Sequence, residues 1–441
     1  AFRETYLREF GFDLTGREII VDDLRVRAVA KSPGLQKFPL AKKGGTPEVE
    51  DRTHCYFMAE SSGYGRWQET SIFRLENLGA GQRLQGPVIV MQNTSTILVE
   101  PGCTAEITEY GDVLLNVETK TSREIGTQAD PVQVSIFGNL FMSIAEQMGR
   151  TLQRTAISTN IKERLDFSCA LFDPQGGLVA NAPHVPVHLG SMSGSVKSIM
   201  RQNPNMKKGD VFVLNAPFNG GTHLPDVTVV TPVFDNVGAI LFFVASRGHH
   251  ADIGGKTPGS APPDSQIIEE EGVVIDNFKL VEDGNFREKE VRELLSSGEY
   301  PCRNIEENLA DLAAQVAANE TGVREVLKMI EQFGVEVVHS YMRYVQDNAE
   351  ECVRQVLTKI KGGKSKYELD NGKFICVEVR VDSKKRTAEI DFTGTAQKDP
   401  YNYNAPLAVC HAVVLYVFRS LIGAEIPLNE GCFRPLEIIT P

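Results

Sequence analysis

The sequence predicts a mixed α+β (mixed α/β) chain of more than one domain, with a small, mostly β unit over residues 1–125 and a large mixed domain over 126–441. The large domain is expected to carry a site on a β-hairpin and a long α-hairpin. Three observations predict this. The length of 441 residues corresponds to two or three domains at roughly 150 residues each. Short strand-like runs separated by turn residues fill the first part of the chain. Helical periodicities near 132–157 and 305–360 then bracket strand-like runs joined by Gly- and His-rich loops.

In the first unit the strand-like runs are 88–91, 96–99, 105–110 and, after Gly111-Asp112, 113–117. The segment 32–49 is rich in Pro, Gly and Lys without apolar period and reads as an exposed loop. The polar stretch 119–131 ends at Pro and is the linker. From 132 to 157 apolar residues fall at 134, 137, 140, 141, 144, 148 and 152, one buried face of a helix. Strand-like runs follow at 169–172, 211–215, 227–234 and 239–246. Ile305, Leu309, Leu312, Val316, Val323, Leu327 and Ile330 mark a long helix, broken near Gly334 and followed by a second through 360. The runs 374–381 and 387–392, joined by five polar residues, form a β-hairpin.

Composition excludes several classes. Hydrophobic residues are 41% and charged residues 24%, ordinary globular proportions. A net charge of −12 repels phosphate backbones, so nucleic acid is not an expected partner. No apolar run approaches the roughly 20 residues of a membrane-spanning helix. The eight cysteines form no C-x-x-C and read as reduced thiols of a cytoplasmic protein. Gly255-Lys256-Thr257 ends like a P-loop, but position 250 is His and no strand–loop–helix frame surrounds it. Cys169 and Cys410 sit in apolar runs and read as small hydrophobes. The chain opens at Ala1 without Met and stops directly after a strand-like run, so a piece of a longer polypeptide is expected.

The sharpest chemical feature comes from a hairpin argument. The run NAPFNGGTHLPD at 215–226 enters the strand 227–234, residues 235–238 turn the chain, and 239–246 returns antiparallel. Centring the turn between 236 and 237 pairs residues whose numbers sum to 473, within about two residues. His223 then faces His250, Asp226 faces Arg247, and His223, Asp226, His249, His250 and Asp252 are expected to crowd together. Imidazoles with carboxylates suit a divalent transition metal such as Mn, Fe or Zn. Gly220, Gly221, Gly254 and Gly255 flank the loops and are expected to let backbone approach a ligand. A second cluster contains Lys162, Glu163, Arg164 and Asp166, a charge run typical of a solvated corner, followed by His184 and His188 in a Pro-braced segment.

Several long runs resemble one family. STNIKERLDFSCALF at 158–172, ANAPHVPVHLGSM at 180–192, GGTHLPD at 220–226 and SRGHHADIGG at 246–255 closely resemble hydantoinase B proteins, in wording nearest to the 5-oxoprolinase type. NIEENLADLAAQVAAN at 304–319 and DFTGTAQ at 391–397 fit the same family. GPVIVMQNTSTILVEPGC at 86–103 resembles the end of a hydantoinase A domain, and the two fused in one chain is the 5-oxoprolinase arrangement. The resemblance implies ATP-dependent hydrolysis of 5-oxo-L-proline to L-glutamate in glutathione turnover, by a cytoplasmic enzyme acting as a homo-oligomer, a dimer. It places ATP with Mg in the hydantoinase A part that precedes this chain, so the rest of the polypeptide is an expected partner. It also implies a metal held through a His-x-x-Asp and a later His, which carried onto this sequence are His223, Asp226 and His249. The choice of His249 over His250 rests on the resemblance. Asp252, Glu271, Asp166 and His188 are the remaining candidates for catalytic work. The rival expectations are a related N-methylhydantoinase or acetone-type carboxylase subunit, or a non-catalytic scaffold.

Overall fold

A computed structural model describes residues 2–12, 18–21, 23–30, 38–58, 65–117, 125–182, 185–188, 190–423 and 426–441. The expected linker 119–131 and loop 32–49 lie partly outside these residues, as does His184. The chain divides into two units, Ile19–Glu124 and a larger one joining Ala1–Glu18 to Ile125–Pro441.

The smaller unit holds β1 (Asp51–Met58), β2 (Gly65–Arg74), β3 (Arg83–Gln85), β4 (Val88–Gln92), β5 (Ser95–Val99), β6 (Cys103–Ile107) and β7 (Val113–Val117). They form one sheet in the order β1-β2-β4-β5 and another in the order β3-β6-β7. The buried residues Phe73, Leu78, Val90, Val99, Ala105 and Ile107 make its core. Sequence patterning found β4 to β7 but not β1 and β2. In β1 only Phe57 is buried, so the strand carries no apolar alternation to read.

In the larger unit the first helix, α1 (Phe2–Phe10), leads to Phe12, whose ring stacks on Phe286 at 4.9 Å. The long helix α2 (Pro131–Thr155) starts where sequence logic puts it: Pro131 stands in its first turn, and the Asp130 carboxylate accepts hydrogen bonds from the N–H groups of Val132 and Gln133. Its Phe137, Phe141, Ile144, Met148 and Leu152 are all buried, each worth about 1.5–3 kcal/mol when taken out of water. A short α3 (Thr159–Lys162) follows, then β8 (Phe167–Phe172), β9 (Leu178–Asn181), α4 (Met192–Gln202), β10 (Val211–Leu214), β11 (Asp226–Phe234), β12 (Ile240–His249), β13 (Phe278–Glu282), β14 (Asn285–Phe286) and α5 (Glu288–Leu295). The strands build one seven-stranded sheet, order β14-β13-β10-β11-β12-β8-β9, antiparallel at every pairing. The predicted α-hairpin is α6 (Ile305–Phe333) and α7 (Val335–Leu357), divided at Gly334. The second sheet comprises β15 (Gly363–Glu368), β16 (Phe374–Asp382), β17 (Thr387–Asp391) and, after α8 (Leu407–Ser420), β18 (Leu436–Ile439) parallel to β17.

Both faces of the seven-stranded sheet are covered, which is why β8, β9 and β10 are buried along their whole length. Alternation decides what each face holds. Phe167, Cys169, Leu171, Phe242 and Val244 pack with α2, α6 and α7, whereas Ala170, Phe172, Val230, Phe243 and Ala245 pack with Met192, Val196 and Ile199 of α4. No helix among the described residues is long and apolar enough to cross a membrane.

Candidate metal centre at one end of the central sheet

The hairpin of β11 and β12 brings its two loops together as the sequence suggests, in a corrected register. Asp226 pairs with His249 and Thr228 with Arg247, so paired numbers sum to 475 rather than 473. Two features account for the difference. The turn is the five residues Asp235 to Ala239, closed by the Asp235 N–H to the Ala239 carbonyl at 2.9 Å, which moves its centre to Val237. A bulge between Val233 and Phe234 then adds one residue on β12.

Strand parity then sorts the candidates. Asp226 and Thr228 on β11, Arg247 and His249 on β12, and Ser168 on β8 share the α4 side with Ala170, Val230 and Ala245. His250 is one residue out of phase. It is fully buried and turned toward α6, where its Nδ1 accepts from Asn308 Nδ2 at 3.0 Å and its Nε2 bonds Gln315 Oε1 at 3.1 Å. The expectation that His250 joins the cluster is therefore corrected. Asp252 is also elsewhere: its carboxylate accepts from Arg303 Nη1 at 2.6 Å and from the N–H groups of Gly254, Gly259 and Arg303.

His223, Asp226 and His249 do meet, each offering a ligand atom within 4.8 Å of the others. His249 Nδ1 lies 2.9 Å from Asp226 Oδ1, and Thr222 Oγ1 donates to Asp226 Oδ2 at 2.9 Å. The rings of His223 and His249 are 5.4 Å apart. Asp166 Oδ2 is 3.9 Å from His249 Nδ1. It terminates the predicted charge run, whose Lys162, Glu163 and Arg164 are exposed as a solvated corner should be. His188 is fully buried, with Nδ1 bonded to Ser168 Oγ at 3.0 Å. Its Nε2 stands 3.5 Å from Asp226 Oδ1 and has no hydrogen-bond partner. Glu271, accepting from Ser265 Oγ at 2.7 Å, lines the same cleft as His223, a cavity of about 750 Å³.

Beneath the cluster lies Arg247, fully buried. Its guanidinium donates to Thr228 Oγ1 (2.8 Å), Ser191 Oγ (2.5 Å), Ser195 Oγ (2.8 Å) and the Gly220 carbonyl (3.4 Å). Ser195 Oγ also donates to the Gly220 carbonyl at 2.7 Å, so α4, β12 and the loop carrying His223 are tied at one point. The sequence did contain a signal for this group, the one charged residue in the strand-like run 240–248. The flanking glycines pack closely against protein backbone. Gly220 has φ +93°, and a Cβ there would meet the Gly194 carbonyl at 2.5 Å.

The electrostatics suit ligation. Burial would raise the Asp226 carboxyl, yet the neighbouring His188 and His249 and the Arg247 charge hold it well below the ordinary range. Burial lowers His188 and His223, keeping those imidazoles neutral with lone pairs available. Burial also lowers His249, but its bond to Asp226 and the charges of Asp226 and Asp166 outweigh that and raise it. Arg247 is brought down by burial to about 10 and stays protonated at neutral pH. Cys169 and Cys410 are raised by burial, the behaviour of inert thiols.

Comparison with known proteins accounts for nearly the whole chain. Residues 130–441 match the family model Hydantoinase B/oxoprolinase. The chain belongs to that family. Residues 4–115 match the hydantoinase/oxoprolinase C-terminal domain. The chain is 47% identical to 5-oxoprolinase 1 of Arabidopsis thaliana and 43% identical to 5-oxoprolinase of Dictyostelium discoideum, with 100% of this chain covered in both matches. It spans only 36% and 35% of those relatives' lengths. In structure it resembles the ATP-dependent caprolactamase from Pseudomonas jessenii, with a TM-score of 0.64 and 25% identity, covering 71% of this chain and 54% of that one. The Hydantoinase B/oxoprolinase match contains every residue of the cluster.

Proposed function

We propose that this chain supplies the hydantoinase B part of an ATP-dependent 5-oxoprolinase, and that His223, Asp226 and His249 hold a divalent transition metal beside the lactam. The observation that carries the reading is the donor set: an ionised carboxylate flanked by imidazoles within 4.8 Å, with His223 lining a cleft. The buried, unpartnered Nε2 of His188 beside Asp226 fits a centre whose electron-pair donors are completed by a cation. When bound, such an ion supplies Lewis acidity toward a carbonyl oxygen.

A five-membered lactam is an unreactive amide, which gives ATP a chemical purpose. Transfer of the terminal phosphoryl group to the lactam oxygen releases ADP and activates the carbon. Water then adds at that carbon, the C–N bond opens as nitrogen takes a proton, and hydrolysis of the resulting acyl phosphate yields glutamate and phosphate. In this reading Asp166, partly exposed and 3.9 Å from His249, accepts the proton of the attacking water and returns it to nitrogen. Glu271 faces the same cleft and serves the leaving nitrogen if Asp166 is spent on orienting His249. Asp252, committed to Arg303, shapes the loop after β12. The test is glutamate formation from 5-oxoproline and ATP by a polypeptide of the relatives' full length carrying this sequence. His223→Ala should abolish glutamate formation, and unchanged turnover in that variant overturns the reading.

A further inference from the structure

The cleft that reaches His223 is larger than a small lactam needs, and its charge contrasts with that of the chain. The protein carries a net −12, yet among the described residues lining the cleft the cations are Lys197, Arg201 and Lys398, and Glu271 is the one carboxylate. Lys197 is already neutralised: its Nζ lies 2.5 Å from Glu430 Oε1, and Ser193 Oγ donates to the same carboxylate. Arg201 and Lys398 have no hydrogen bond or ion pair with any described residue, so their charge is available to a ligand.

Both cations stand on fixed supports. Arg201 lies in the last turn of α4, the helix that Ser195 ties to the Gly220 carbonyl beside the His223 loop. At 1.5 Å per residue its backbone is about 9 Å along the axis from Ser195, which separates the cationic end from the end holding His223. Lys398 lies in the segment between β17 and α8, just before a turn braced by Asn404, which accepts from the Asp399 N–H and donates to the Asp399 and Tyr401 carbonyls, and by Asn402, which donates to the Pro262 carbonyl at 2.7 Å.

The geometry points to Arg201 and Lys398 as a carboxylate subsite that selects a cyclic amide bearing an acid group and turns its carbonyl toward His223. This inference rests on the proposed lactamase reading and adds to it the residues that distinguish an acidic lactam from a neutral one. A guanidinium is suited to such a role because its fork matches a carboxylate bidentately. The inference also assigns Glu430 the task of silencing Lys197, so that two cations rather than three address the substrate.

The experiment is a titration of this chain with L-5-oxoproline, with the neutral lactam 2-pyrrolidinone and with inorganic phosphate, comparing wild type with the double variant Arg201→Gln/Lys398→Gln. The expected result is a preference for 5-oxoproline over 2-pyrrolidinone on the order of tenfold, as one charge-assisted contact supplies, lost in the double variant with 2-pyrrolidinone binding unchanged. Phosphate that binds the wild type as tightly as 5-oxoproline, while the two lactams remain indistinguishable, overturns the carboxylate assignment in favour of a phosphoryl subsite. No preference between the lactams in the wild type, including no binding of either, or a preference retained in the double variant, overturns the inference. Metal content, measured in parallel, separates its failure from that of the underlying reading. It should be unchanged in Arg201→Gln/Lys398→Gln and lost in His223→Ala, and its absence from the wild type condemns the metal site rather than the subsite.

Discussion

Replacing the buried Arg247 with Met tests whether the point where α4, β12 and the His223 loop are tied is as important as its contacts suggest. The substitution keeps length and apolar stem while deleting three short charge-assisted hydrogen bonds, to Thr228, Ser191 and Ser195. At about 1.5–3 kcal/mol each, the gross loss is roughly 5–9 kcal/mol. Against it stands the removal of a guanidinium from a fully buried position, whose desolvation costs several kcal/mol. The hydroxyls are not all orphaned. Ser191 Oγ keeps the Val187 and His188 carbonyls, and Ser195 Oγ keeps the Gly220 carbonyl. Only Thr228 Oγ1 loses its partner, at about 1–3 kcal/mol, while Asp226 loses a neighbouring positive charge. The balance is a destabilisation of about 3 kcal/mol, at the lower end for breaking a buried charged network. Urea unfolding of Arg247→Met followed by circular dichroism measures it. Stability within about 0.5 kcal/mol of wild type, the range of an inconsequential surface change, refutes the assignment.

Other predictions follow from the same geometry. His250→Ala removes the bonds to Asn308 and Gln315 and leaves a cavity, costing about 2–4 kcal/mol in thermal or urea unfolding while leaving metal content unchanged. Gly220→Ala forces a side chain into φ +93° and into the Gly194 carbonyl, a cost of at least about 1–2 kcal/mol that calorimetry reads as a lowered Tm. Acidification should destabilise the metal-free chain. Burial lowers His188, His223 and His250 from 6.5, so the unfolded chain binds more protons as pH falls through about 6.5, and stability falls with it. His249 is raised from 6.5 and works oppositely, its contribution being full below about 6.5 and lost as pH rises through its folded value. With four lowered imidazoles, His411 among them through burial, against one raised, urea midpoints at pH 7 should exceed those at pH 5, and His250→Gln should flatten the slope.

Much of this arrangement is legible in the sequence because it rests on period and spacing. The stripe through Phe137, Phe141, Ile144, Met148 and Leu152 predicts α2, and Gly334 marks the break between α6 and α7. Hairpin arithmetic brings His223, Asp226, His249 and His250 to one end of the sheet, but an error of about two residues does not separate His249 from His250; the resemblance makes that choice, and the observed pairing of Asp226 with His249 agrees with it. An error of one residue would have exchanged His249 for His250. What the arithmetic misses is what turns decide locally: the bulge at Val233/Phe234 leaves no mark in composition. Asp252 illustrates a different limit, since its partner Arg303 is 51 residues away and no local pattern announces that pairing. Strands β1 and β2 escape for want of buried alternation, and the subsite cations Arg201 and Lys398 belong to segments nearly 200 residues apart that only the fold brings to one cleft.

The central claim is that His223, Asp226 and His249 form a metal centre. Elemental analysis of protein purified without added metal, comparing wild type with Asp226→Asn, His223→Ala and the control His250→Gln, tests it most directly. Roughly one equivalent of Mn, Fe or Zn is expected in wild type and in His250→Gln, and a loss in the other two exceeding the roughly 10–100-fold that removal of an outer partner costs. Metal retained in full by Asp226→Asn and His223→Ala, or a wild type that neither contains nor takes up a divalent ion, contradicts it.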